Sequence, residues 1–259
     1  MQPTHSEVDS GRPRVTGRAR DVVVALDRVI YRFSGRWLAV FNLFLAIYLG
    51  VSFLAPLFMK AGGLAPARVI YAIYSSMCHQ LGYRSWYLFG ERPNYSRYVF
   101  QAYTTIDPDT YEGFLASRAF EGNAQMGYKV ALCERDVAIY GMMLLAGLIF
   151  SVPTVRRKLQ PLRWWMWILI GLVPIGLDGF WQLLTNYPYT SLLPFLHFLP
   201  YHESTPYWRS FTGALFGLAN VWLAYPYFDQ SMREARTELK VTLARVDAEA
   251  ANLRSGAVT

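Results

Sequence analysis

The chain has 259 residues, 53% of them hydrophobic and 16% aromatic, and a net charge of +7. A soluble domain of this length buries an adequate core with fewer apolar residues, and here the charges are gathered beside long uncharged runs, the distribution of a membrane protein. The basic excess flanks those runs, where it orients helices, so it is no sign of a nucleic-acid partner; there is no Gly-rich phosphate loop, no zinc-finger spacing and no internal repeat.

Residues 1–36 form a basic segment with Arg12, Arg14, Arg18, Arg20, Arg28, Arg32 and Arg36. Residues 37–59 are uncharged and long enough to cross about 30 Å of hydrocarbon at roughly 1.5 Å per residue. Their long leader and the lack of a small-x-small site mark a retained anchor rather than a cleaved signal. Residues 65–81 hold Arg68 and His79 and read as a short helix at the outer face. The loop 60–136 is rich in Tyr; a helix is expected to start at Asp107-Pro108-Asp109, with Asp as cap and Pro in the first turn, and to end at Gly122-Asn123.

Three further spans follow at 137–155, 164–184 and 210–228, with Trp164-Trp165 and Tyr225 and Tyr227 at interfacial positions. Arg156, Arg157, Lys158 and Arg163 link the second span to the third, whereas the link from Thr185 to Trp208 has neither Lys nor Arg. The first link belongs in the cytoplasm and the second outside, which puts both termini inside. After the last span, Met232, Leu239, Leu243, Val246, Ala250 and Leu253 recur at helical spacing with Arg236 on the same seam, giving residues 229–259 as a cytoplasmic amphipathic helix that packs on its own protein or lipid, or pairs with another copy or partner.

The polar residues within this greasy frame carry the chemistry. Asp178 lies inside the third span, roughly 21 Å from its start at about 1.5 Å per residue, where a carboxylate is costly and marks either a functional site or an ion pair with an Arg. Pro174 predicts a kink nearby, and Gln182 shares the face of Asp178 one turn on. Arg135, Arg209, His197, His202 and Glu203 fall at the same level, and Gly213 and Gly217 form a small-xxx-small pair for close helix approach. One of two cysteines, Cys78, directly precedes one of four histidines, His79. Cys78, His79 and Cys133 are candidate metal ligands, with Asp178 or His202 to complete a shell; the same cysteines are equally a candidate disulfide in an oxidising compartment, or free thiols, one of them activated.

The order of these motifs resembles a bacterial family of predicted integral membrane proteins, domain of unknown function 2085: Cys78-His79-Gln80 with Arg84-Ser85, Cys133-Glu134-Arg135 leading to Tyr140-Gly141, Asp178-Gly179 with Gln182, and Glu203-Ser204-Thr205 with Arg209 and Thr212-Gly213. The likeness covers about residues 71–225. Many members resemble one another in a second cysteine directly after Cys-x-Arg, where this chain has Asp136, a substitute metal ligand. The resemblance implies fold and location and leaves the reaction open.

The sequence therefore predicts an all-α, four-pass transmembrane helix bundle over residues 37–228 in the bacterial inner membrane, with a short outer-face helix and an outward-facing polar pocket. Cys78, His79 and Cys133 would hold a divalent metal such as zinc, Asp178 and Glu203 would act as catalytic base or further ligand, and Arg84, Arg135, Gln182 and Arg209 would bind an anionic head group or small molecule. The rivals are a non-catalytic scaffold or complex subunit with a Cys78–Cys133 disulfide, and a small transporter or channel subunit.

Overall fold

The computed structural model describes residues 17–185, 195, 198 and 202–256. Arg12, Arg14, His197 and most of the outward link lie outside the described residues, as does the side chain of Leu253. The chain is mostly helical and divides into two compact units, Met1–Trp37 with Phe228–Thr259, and Leu38–Tyr227.

The helices are α1 (Arg18–Ser34), α2 (Trp37–Lys60), α3 (Leu64–Tyr74), α4 (Arg97–Thr104), α5 (Tyr111–Ala119), α6 (Glu134–Phe150), α7 (Pro153–Lys158), α8 (Trp164–Thr185) and α9 (Pro206–Gly256). Two of them, α2 and α8, are long and apolar enough to cross a membrane. The uncharged composition of α2 between Trp37 and Lys60 accounts for its 24 uninterrupted helical residues. In α8 the disturbance expected at Pro174 appears one turn earlier, as a π-helical stretch over Trp167–Leu172, because a proline has no N–H for the preceding turn to bond.

Three strands correct the all-α expectation. β1 (Ser85–Leu88), β2 (Gly122–Asn123) and β3 (Gly127–Cys133) form an antiparallel sheet in the order β1-β3-β2. Alternation in these short, Tyr-rich runs is too brief to read as strand from periodicity. The cap helix is also shorter than expected. It starts after Thr110, whose side chain accepts from the Gly113 N–H, and it ends at Ala119, while Gly122-Asn123 forms a strand. Gly127, at φ +78°, opens β3 directly after the turn at 124–126, and a side chain there would strike the Leu88 carbonyl.

The register Ser85↔Cys133 joins the start of the sheet to the N-terminus of α6, because Cys133 both ends β3 and occupies the N-cap position of α6. The outer-face helix expected over 65–81 stops at Tyr74, so Cys78 and His79 lie in an irregular segment, where Cys78 turns inward and His79 outward. Ala131 and Leu132 from β3 pack with Tyr71, Tyr74 and Cys78 from this region in one apolar cluster. Below it, α9 crosses α6 at close range: a Cβ on Gly213 would lie 2.7 Å from the Arg135 carbonyl oxygen, and one on Gly217 2.4 Å from that of Ile139. The small-xxx-small pair thus serves the helix contact it suggested.

In the other unit α1 and the C-terminal part of α9 run antiparallel. Arg20 pairs with Glu249 at 2.5 Å and Arg28 with Asp247 at 2.8 Å. The Arg236 guanidinium lies over the Tyr31 ring at 5.1 Å, and the Trp37 indole N–H donates to Asp229 at 3.3 Å. The amphipathic C-terminal helix therefore has a partner within its own chain, in a segment whose arginines masked its helical periodicity.

Candidate functional site

The register of β1 on β3 brings the first cysteine motif onto the second. The Cys133 N–H donates to Cys78 Sγ at 3.3 Å, and the Cys133 thiol donates to Asp136 Oδ2 at 3.2 Å. Ligand atoms of Cys78, Cys133 and Asp136 all lie within 4.8 Å of one another. Both cysteines are free thiols in this structure; the disulfide weighed as an alternative would need their sulfurs about 2.05 Å apart. The neighbouring Cys78 thiol and then burial push the Cys133 thiol well above its ordinary pKa, which keeps it protonated unless a cation compensates.

Of the expected donors, Cys78 and Cys133 lie together with Asp136, while His79 stands outside this trio and lines the same cavity. Partial burial, followed by the Arg118 and Arg84 guanidiniums, lowers the His79 pKa and favours the neutral imidazole, the form that ligates metals. The cavity measures about 210 Å³ and is lined by Cys78, His79, Arg84, Cys133, Arg135, Asp136, Gln182 and Arg209, with Met77, Gln80 and Leu81. Eight residues singled out from the sequence as ligand or site candidates thus meet on one surface.

Behind that surface lies an ion-pair network. Arg84 binds both carboxylate oxygens of Glu203, at 3.2 and 3.1 Å. Arg209 donates to Glu134 at 2.6 Å, to the Ser204 carbonyl at 2.5 Å, and to Glu203. Gln182 donates to Glu203 at 2.6 Å. Arg135 pairs with Asp178 at 2.5 Å, and His202 Nε2 lies 3.2 Å from the other Asp178 oxygen. Each arginine meant for an anionic ligand therefore faces a carboxylate of the chain, and each carboxylate meant as a free base is already held. The three guanidiniums are matched by Glu134, Asp178 and Glu203, which leaves little net charge to attract an anion. Two buried guanidinium N–H groups, Arg135 Nε and Arg209 Nε, and the acceptor Glu134 Oε1 have no hydrogen-bond partner among the described residues.

Two supporting residues were given no role in the sequence reading, although Gln80 stood in the first motif. Gln80, at φ +53°, donates from its side chain to the carbonyls of Tyr71 at 3.0 Å and Ala131 at 2.9 Å, tying α3 to β3. Lys129 is 1% exposed; its Nζ donates to the carbonyls of Gln80 at 2.8 Å and Arg118 at 2.7 Å. The neighbouring Cys-His gave a signal for Gln80, but a lone Lys in a polar loop gives none. Burial lowers the Lys129 pKa to about 7, against 10.5 for an ordinary Lys. The unfolded chain then binds more protons than the folded one between these values, so stability rises with pH from about 7 to about 10.5 and is lost as pH falls toward 7. Unfolding midpoints in mild detergent at pH 7 and 9.5 are expected to differ, by an amount equivalent to a few kcal/mol. Lys129→Met is expected to flatten the difference, and an unchanged slope would contradict the assignment.

The model of a family described as predicted membrane protein, domain of unknown function 2085, matches residues 119–223. An uncharacterised protein of Methanocaldococcus jannaschii is 26% identical over 156 residues, covering 57% of this chain and 73% of the relative. No solved structure matches. The matched region contains the Cys133, Asp178 and Glu203 motifs and leaves the Cys78 motif outside it. Over residues 119–223 this chain is similar to the family described as predicted membrane protein, domain of unknown function 2085.

Proposed function

We propose that the chain is a four-pass inner-membrane protein, with both termini cytoplasmic, whose outward-facing pocket binds a divalent metal of the zinc type on Cys78, Cys133 and Asp136 and presents it to a small ligand. The observation that carries the reading is the convergence of those three donors in the wall of the 210 Å³ cavity. Ligand atoms of a tetrahedral zinc lie roughly 3.2–3.8 Å apart, given bonds of about 2.0–2.3 Å, so the trio needs only a modest contraction. Mixed thiolate and carboxylate donors suit zinc, and His79 is placed at the same cavity to complete the shell. When bound, the metal supplies Lewis acidity to an oxygen of the ligand. Arg135 and Arg209 line the same cavity, and each keeps a buried Nε–H with no hydrogen-bond partner among the described residues. In this reading Asp178, Glu134 and Glu203 hold the arginines in place.

The four-pass arrangement is supported by exposed apolar side chains on four helices, among them Leu43 and Ile47, Leu145 and Leu148, Leu169 and Phe180, and Phe211. Exposed apolar area of this extent is a lipid-facing or partner-facing surface. Charges are instead gathered inside, near Glu134, Asp178 and Arg209. The basic link at α7 orients the bundle.

A second reading, the scaffold, draws on the same closeness of Cys78 and Cys133, which an oxidant could join. The transporter reading has less behind it, because the intramembrane carboxylate Asp178 is engaged by Arg135 and His202. Metal analysis of the detergent-purified protein, with thiol labelling before and after reductant, separates the cases. About one zinc per chain is expected, lost with labelling of both thiols on chelation, and weakened by at least about tenfold in Cys133→Ser and Asp136→Asn. Absence of metal with thiols that label only after reduction would establish the scaffold. Absence of metal with thiols that label at once would overturn both.

A further inference from the structure

We infer that α1 is an interfacial helix that lies on the anionic phospholipid surface of the cytoplasmic leaflet. Val22, Val23, Leu26, Val29, Ile30 and Phe33 follow the spacing i, i+1, i+4, i+7, i+8, i+11, so they form one continuous face of the helix. These six large apolar side chains are 38–60% exposed. The contacts of α1 with α9 use the opposite face: Val24, Asp27 and Tyr31 are partly covered and Ser34 is buried, and the ion pairs run through Arg20 and Arg28. The intrachain partner thus leaves the apolar stripe open. A structural pairing alone would place the apolar stripe, not the polar face, against α9.

Three features point to lipid as the occupant. Arg18, Arg32 and Arg36 are exposed along one edge of the stripe, where their guanidiniums meet phosphate while the apolar face enters the acyl boundary. Asp21 and Asp27 are the acids of this helix, and the latter is turned toward α9. The third feature is connectivity. Only Gly35 and Arg36 separate α1 from α2, so the end of α1 cannot be more than about 10 Å of extended chain from the start of that span. This step rests on α2 being a membrane span, as proposed above. A helix tethered so closely to a span, with one face apolar and a basic edge, has the bilayer surface as its immediate neighbour.

The test uses the full chain in lipid nanodiscs of phosphatidylcholine alone, or with about 30 mol% phosphatidylglycerol, read by hydrogen–deuterium exchange. Exchange over residues 18–34 is expected to slow by about tenfold in the anionic discs. The gain is expected to disappear in Leu26→Ser/Ile30→Ser, and in Arg32→Glu, which alters charge and leaves the apolar stripe intact. Both changes sit on exposed positions, so the fold should survive them. Equal exchange in both discs, with residues 37–60 protected, would overturn the inference and spare the span. Protection of residues 18–34 that depends on protein concentration rather than lipid charge would assign the stripe to a second copy. Unprotected residues 37–60 would sink the span itself, and the inference with it.

Discussion

Arg209→Met is expected to destabilise the protein by about 3–5 kcal/mol, the cost of leaving a buried charge without its partner. Arg209 is 3% exposed and the Glu134 beside it 0%; one guanidinium nitrogen binds Glu134 at 2.6 Å, the other the Ser204 carbonyl at 2.5 Å and Glu203. Burial already pushes the Glu134 carboxyl up, and Arg209 opposes that shift. Without the guanidinium, Glu134 must take a proton or remain ionised in an apolar surrounding, and either costs stability. Glu203 is less affected, because Arg84 still binds it through both oxygens. Adding Glu134→Gln to Arg209→Met is expected to restore a substantial part of the loss, since the stranded charge is then gone. Thermal unfolding in mild detergent of the two single variants and the double variant checks this. Loss that simply adds in the double variant would show that the two side chains act independently.

The second large effect is expected at the crossing of α6 and α9. Gly217→Leu places a side chain where a Cβ alone would already stand 2.4 Å from the Ile139 carbonyl oxygen. The obstacle is backbone, so no rotamer relieves it, and the helices must separate. Overpacking a core costs about 1–3 kcal/mol, and a collision with a helix backbone belongs at or beyond the top of that range. Separation would also pull Gly213 from Arg135, and with it the arginine that holds Asp178. Gly50→Leu is the control, because nothing lies within 4 Å of a Cβ there. Its unfolding midpoint is expected to stay within about 0.5 kcal/mol of the parent, as for an exposed substitution. Equal midpoints for the two variants would mean that the close crossing contributes nothing.

The apolar runs were legible because a membrane helix announces itself by what it lacks: residues 37–59 and 164–184 contain a single charge, Asp178, and α2 and α8 occupy nearly those bounds. The polar pocket was legible for a related reason, since Arg84, Arg135 and Arg209 are expensive so near hydrocarbon and must converge on something. An ion pair between Asp178 and an Arg was one of the two alternatives read from the sequence, and Arg135 makes it. The pairing of Arg84 and Arg209 with Glu134 and Glu203 was not legible, because it depends on distances between elements that no spacing within one helix reveals. The meeting of Cys78 and Cys133 was expected, but the strand register that produces it, between segments of only four and seven residues, was not. The choice of Asp136 over His79 in the donor trio follows from a helix that stops at Tyr74, earlier than residue 81. The helix α1 went unread because its arginines were counted as orientation signals while Val22 to Phe33 repeated between them.

The ion-pair network also sets a timetable. Its members come from the 3-10 turn at Gly82–Arg84, the first turn of α6, the far half of α8 and residues 202–209. Glu134 receives its guanidinium from a residue 75 positions later. At synthesis rates of about 5–20 residues per second the ribosome needs on the order of ten seconds to supply it. During that interval Glu134 has no Arg209 to neutralise it, so, if α6 is a span as proposed, it cannot settle at its final depth at once. On that proposal, a nascent chain halted before residue 206 should hold α6 displaced toward the surface that carries Glu134, and release of α9 should draw it in.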